Sequence, residues 1–400
     1  MANFEVAVEP AVLEWARESI GLPREQAAKK LGLSTLDLRY LEEGAASPTI
    51  GQLRKMVDVY KRPLAVFFLS KPAKDFDAMK DFRLLPGNDG KPFSRELTLA
   101  FRRVHMQRET AQELAELAEE IPPPLALSLN LDTDPELAGE AVRAWLGTPI
   151  RYENDIYLSH RDDLNQWIEL VEAKAILVTQ AGRVNLTEMR GCSVSDQPFP
   201  AIMLNGKDSP RGRVFTLMHE LVHVLQRSGA VCDMDVLRPS SSTNAWHIGD
   251  RERIERFCNH VAAATLMPRN RVLSDQRVFR SSPSTRWTDD ELKQLADMYG
   301  VSREAMLLRL VELGHASWDY YFDRRPYFLQ MYEDSQEERQ AGKGGPNYYR
   351  MKLRDFGRRY VRTVVDAYNS RDITGSDLSD YLDMKVNRLP GLEAELQKRR

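Results

Sequence analysis

Residues Phe215–Gln226, FTLMHELVHVLQ, place the strongest constraint on the fold. Phe215, Leu217, Leu221, Val222, Val224 and Leu225 put apolar side chains on every side of a helix, so that helix must be enclosed by protein. The same helix carries His219, Glu220 and His223. Burying three such groups without a shared task is costly, so the fold must supply partners for them. Positions i and i+4 share a face one turn apart, so His219 and His223 can aim both imidazoles at one ion. Glu220 follows the first histidine, where a glutamate serves as the base on an attacking water. Catalytic zinc needs a third protein ligand and one open position. A second helix, Glu252–Pro268 (ERIERFCNHVAAATLMP), offers carboxylates. Glu255 is the expected ligand and Glu252 the alternative. Asn259, four residues after Glu255, shares its face and can hold a ligating histidine in one tautomer. His260 and His247 are candidate oxyanion donors, the plainer reading of each being a histidine without a catalytic part. The expected chemistry is zinc-assisted peptide hydrolysis with Glu220 as general base. The apolar run Phe199–Asn205 reads as a strand on which an extended substrate could pair.

The remainder of the 400 residues narrows the setting. That length suggests two to four domains at roughly 100–200 residues each. A net charge of −3 gives no global nucleic-acid signature. Cys192, Cys232 and Cys258 are too few and too far apart for a disulfide framework and fit a reducing compartment. MANFEVAVEP lacks a basic-then-apolar leader, and no apolar run approaches about 18 residues. The expectation is a cytoplasmic chain without membrane spans. Residues 10–69 read as short helices punctuated by Gly32, Ser34, Gly44 and Pro48. A proline- and glycine-bearing linker follows from Lys71, and KAILVTQ reads as a second strand.

RVFTLMHELVHVLQ followed by ERFCNHVAAATLMP resembles the ImmA/IrrE family of zinc metallopeptidases. The preceding MRGCSVSDQPFPAIMLNGKDSPRGR resembles its strand-rich lead-in, and YGVSREAMLLRLVELG a segment that follows its core. The likeness covers roughly Ile176–Gly314. It implies Zn2+ held by His219, His223 and Glu255, with Glu220 as base. The family's usual glycine before the second histidine is Val222 here, and its alanine before the asparagine is Cys258. The N-terminal bundle resembles the Xre-like helix-turn-helix domain often joined to these peptidases. The expected class is therefore α+β and mostly helical. It comprises a helix-turn-helix domain at 1–70, a linker at 71–94, a zincin-like peptidase at 95–285 with a small sheet, and a helical C-terminal region at 286–400.

The resemblance implies a protein substrate, a helix-turn-helix repressor or antitoxin, cut in a stress or DNA-damage response. In the N-terminal domain Thr35, Leu36, Asp37 and Arg39 would lie nearest the bases of a duplex. Met1–Ser70 balances nine acidic against nine basic residues, and Asp37, Glu42 and Glu43 on or beside that helix would repel phosphates. Dimerisation or substrate docking is the alternative use of the bundle. Near the C-terminus Arg350, Lys352, Arg354, Arg358, Arg359 and Arg362 interleave with Tyr348, Tyr349, Phe356 and Tyr360. That pattern suits single-stranded nucleic acid, or equally a solvated basic face over a packed aromatic core. The rival to the enzyme is a DNA-binding regulator whose metal domain is structural or sensory.

Overall fold

The computed structural model describes residues 5–72, 93–148, 160–227, 231–232, 250–341 and 347–398. His247, most of the expected linker and residues 342–346 lie outside the described residues. The backbone divides into two compact units, Met1–His105 and Met106–Arg400.

The first unit contains α1 (Pro10–Glu18), α2 (Arg24–Leu31), α3 (Thr35–Glu42) and α4 (Ile50–Tyr60), followed by a 3-10 turn at Leu64–Phe68. Local chemistry sets the boundaries. Pro10 opens α1, and Gly32 in the left-handed region ends α2. Ser34 with Asp37 and Thr49 with Gln52 form reciprocal capping boxes that start α3 and α4. Leu13, Ala16, Ile20, Leu38, Leu53 and Met56 meet in its core. Glu42 is buried among them and accepts from Arg17 Nε at 2.6 Å and Arg24 Nε at 2.7 Å. The expectation that Glu42 repels phosphate is therefore corrected: its charge is spent inside the bundle on two arginines.

In the second unit, α5 (Arg95–Leu117), which begins in the first, continues from Met106; α6 (Pro135–Leu146) and α7 (His160–Glu172) precede a small mixed sheet. Its strands are β1 (Leu177–Ala181), β2 (Gly191–Val194), β3 (Ala201–Asn205) and the two-residue β4 (Val231–Cys232), in the order β1-β3-β2-β4. β1 and β3 run parallel, while β2 is antiparallel to β3 and β4. Every residue of β1, β2 and β3 is buried, so none shows the in-and-out alternation of a half-exposed strand. β3 is paired on both sides and cannot accept another strand, which corrects the expectation for Phe199–Asn205. The outer side of β2 at Ser193 and Val194 has no strand partner among the described residues, because β4 pairs only with Gly191 and Cys192.

Helix α8 (Pro210–Gln226) packs beneath β2 and β3, and α9 (Asp250–Leu266) packs on both α8 and α6. Gly139 permits the last approach: a Cβ there would come within 2.6 Å of the Ala264 Cβ. After α10 (Arg269–Ser274) and α11 (Gln276–Phe279), α12 (Asp289–Tyr299) and α13 (Arg303–Glu312) join the same core, which runs from Ala138 to Phe328. Buried Arg309 of α13 forks onto Glu136 of α6 at 2.7 Å and donates to the Met267 carbonyl beyond α9. α14 (Trp318–Ala341) follows. α15 (Tyr348–Phe356) and α16 (Arg358–Asn369) then close the edge of the sheet at β1, and α17 (Gly375–Leu382) and α18 (Leu389–Leu396) complete the unit. No helix among the described residues is long and apolar enough to cross a membrane.

Candidate metal centre

Helix α8 starts at Ser209, whose hydroxyl accepts from Gly212 N, and is buried without interruption from Val214 to Leu225. His219, Glu220 and His223 are each fully buried. Asn259 and Glu255 face them from α9, both nearly buried. The His219 Nδ1–H donates to Asn259 Oδ1 at 2.8 Å, which leaves the Nε2 lone pair turned inward. His219 Nε2 and His223 Nε2 stand 3.2 Å apart. Glu255 Oε2 lies 3.3 Å from His219 Nε2, and its Oε1 lies 3.7 Å from His223 Nε2.

These separations test whether the residues suit zinc. Ligand atoms about 2.1 Å from one ion at the tetrahedral angle stand about 3.4 Å apart. The three spacings bracket that value, and the donor set of two imidazoles and a carboxylate is one zinc accepts. No other group of three metal-competent side chains occurs among the described residues.

Electrostatics ties the cluster together. Burial alone would pull the His219 imidazolium down, but the hydrogen bond it can donate to Glu255 and the charge of Glu220 carry it above its ordinary value. Burial pushes the Glu255 carboxyl up, yet the bonds to both histidines hold it well below the usual carboxylate range. Glu255 is thus ionised and available as a ligand. Burial drives Cys192 and Cys258 well above the ordinary thiol value, with nearby glutamate charge adding to it, so both stay protonated.

The alternatives fall elsewhere. Glu252 accepts from Arg256 at 2.7 Å, one turn along its own helix. The structure does not bring His260 to the cluster; its ring is half-exposed with Nε2 3.4 Å from Glu312 Oε1. One residue went unread in the sequence. A Cβ on Gly191 would lie 2.4 Å from Thr216 Cγ2 and 2.9 Å from Glu220 Oε1. Glycine at this point lets β2 lie directly over the glutamate. A glycine inside a short strand is the signal that marks such an approach.

On α3, Thr35, Leu36, Asp37, Arg39 and Tyr40 are exposed while Leu38 and Leu41 face the core. Arg39 donates to Glu43 at 2.8 Å. The C-terminal cations are largely engaged within the protein. Arg350 binds Glu395, and Lys352 binds the Leu382 and Asp383 carbonyls. Arg354 binds Asp355, Arg358 the Leu396 carbonyl, and Arg359 the Glu172 carbonyl. Phe356 and Tyr360 are buried. Of the two readings of this stretch, the geometry favours helices packed through their aromatics and tied by their arginines over a stacking platform for bases.

Residues 177–311, from β1 to the end of α13 with the whole cluster inside, match the M78 peptidase family model described as the IrrE N-terminal-like domain. Residues 13–67 match a model described as helix-turn-helix. Both agree with the family and architecture expected from the motifs. A comparison with curated proteins found no match.

Proposed function

We propose that this chain, which joins a helix-turn-helix domain to an IrrE N-terminal-like peptidase domain, is a zinc-dependent metalloendopeptidase of limited specificity. Its substrate on this reading is a helix-turn-helix repressor or antitoxin, cut in a stress or DNA-damage response. The observation that carries the proposal is the spacing of 3.2, 3.3 and 3.7 Å among two imidazole nitrogens and one carboxylate, with Glu220 buried beside them. A purely structural metal site has no use for Glu220.

Bound there, zinc would lower the pKa of a water and polarise the scissile carbonyl. Asn259 keeps the His219 ring turned, so that Nε2 is presented to the ion without rotational search. Glu220 takes the proton of the attacking water on a carboxylate oxygen and returns it to the leaving amine. Its apolar neighbours strengthen that exchange by keeping the local dielectric low. β3, paired on both sides, cannot serve as a rail for an extended peptide. Thr35, Leu36, Asp37 and Arg39 on α3 are the side chains suited to read a duplex, so the first unit would bring the peptidase to a regulator or its operator.

The test uses full-length protein with zinc and a helix-turn-helix repressor as substrate, with cleavage read by mass. Glu220→Gln should slow cleavage at least about a hundredfold and keep its metal. Equal cleavage by Glu220→Gln refutes the mechanism. A regulator with a structural metal would instead bind duplex DNA in an Arg39-dependent way and ignore Glu220→Gln.

A further inference from the structure

Within the second unit, a cavity of about 1100 Å³ opens between the sheet and the C-terminal helices. None of His219, Glu220, His223 or Glu255 lines it. Its position in the topology is specific. Gln180, Gly206 and Lys207 contribute from the carboxyl ends of the parallel pair β1 and β3, and Pro210 and Arg213 from the first turn of α8. Carboxyl ends of parallel strands leading into a helix N-terminus form a habitual site for anionic ligands.

The lining carries more cations than carboxylates. Lys207, Arg213, Arg350, Arg354 and Arg358 face three carboxylates, Glu169, Asp208 and Glu395. Two of those carboxylates are already held, and so in part are the cations, Arg213 by Gln180, Arg354 by Asp355 and Arg358 by the Leu396 and Lys398 carbonyls, each guanidinium having five N–H donors in all. Asp208 accepts from Ser209 N and from the Tyr332 hydroxyl, and Glu395 accepts from Lys398 as well as Arg350. The balance is positive inside a concavity, where apolar walls focus the field. Gly182 makes room for this arrangement, since a Cβ there would come within 2.6 Å of the Arg354 guanidinium. Leu164, Ile168, Val178, Leu186, Met351 and Leu353 add apolar surface to the same lining. The space thus offers both guanidinium groups and apolar surface, at a volume at the upper end for small-molecule sites.

We infer that this cavity binds a small phosphorylated molecule of nucleotide size, its phosphates among Arg213, Arg354 and Arg358 and its body on the apolar surface. Three of the cations belong to the stretch that resembles a strand-binding surface in sequence. The concavity and the buried Phe356 and Tyr360 favour a compact ligand over a polymer. The inference is independent of the peptidase reading, because it concerns binding alone.

Calorimetric titration of the full chain at low salt tests it, with inorganic pyrophosphate, ADP, adenosine and a single-stranded thymidine oligonucleotide as probes. Pyrophosphate and ADP should each bind saturably, one per chain, below about 1 mM, and adenosine should not. Arg213→Gln with Arg354→Gln should weaken ADP at least about tenfold. Asn165→Asp, isosteric and half-buried in the lining, should do the same by adding negative charge without changing the packing. Arg362→Gln, an exposed cation outside the lining, should bind like the parent. Failure of both pyrophosphate and ADP to bind overturns the inference. So does binding of the oligonucleotide in their place, equal binding of adenosine, or equal weakening by Arg362→Gln.

Discussion

Gly191 and Glu220 are 29 residues apart in sequence yet form one feature of the site, strand backbone laid against a buried carboxylate. Gly191→Ala should place a methyl 2.9 Å from Glu220 Oε1 and closer still to Thr216. We expect a loss of about 1–3 kcal/mol in stability, measured by chemical denaturation, and a fall in cleavage with metal content kept. At the same scale, Glu255→Gln should weaken zinc binding while Glu252→Gln leaves it intact, because Glu252 is spent on Arg256. The members of the buried cluster were legible in the sequence because helical periodicity puts His219 with His223, and Glu255 with Asn259, on shared faces. Gly191 was not, since nothing local says which helix a strand will cross. His260 fails for a related reason: five residues after Glu255, it lies well around the helix from that face.

At the scale of elements, the junction between β1 and the C-terminal helices is a close one. Gly357 adopts φ +82°, and a Cβ there would come within 2.4 Å of the Val178 carbonyl and 3.1 Å of Glu172 Oε1. Gly357→Ala should cost about 2–4 kcal/mol through strain and clash together, read as a lowered denaturation midpoint. Beside it, burial pushes the Glu172 carboxyl up to about 7, only partly offset by the Arg359 backbone N–H and guanidinium. The folded state therefore keeps a proton that the unfolded chain releases near 4.5. Stability from this group is full below that lower value and is lost as pH rises through about 7. Glu172→Gln, which cannot ionise, should be more stable than the parent by up to about 3 kcal/mol at pH 8. Denaturation at pH 5 should show most of that gap closed. The basic pattern Arg350–Arg362 was readable as cationic and aromatic, but its direction was not. Whether an arginine meets a phosphate or a neighbouring helix carbonyl depends on tertiary contacts such as Arg358 with Leu396 and Arg359 with Glu172, which have no local signature.

Over the whole molecule, the mostly helical class, the N-terminal bundle and the enclosed helix were legible. The apolar run Val214–Leu225 could only be core, and it is buried throughout. Interior and edge strands were not distinguishable, because β1, β2 and β3 are all buried and all read alike. In the first unit the same limit applied to charge. Glu42 looked like a surface acid but is enclosed with Arg17, so Glu42→Ala should leave a buried cation without its main partner and cost about 3–5 kcal/mol. The claim that organises the larger unit is that His219, His223 and Glu255 hold one zinc. Metal content of the purified full-length chain, after stripping and reconstitution, tests it most directly. One zinc per chain should return in the parent and in Glu220→Gln, and much less in His223→Ala and Glu255→Ala. Full zinc in those two ligand variants would contradict it.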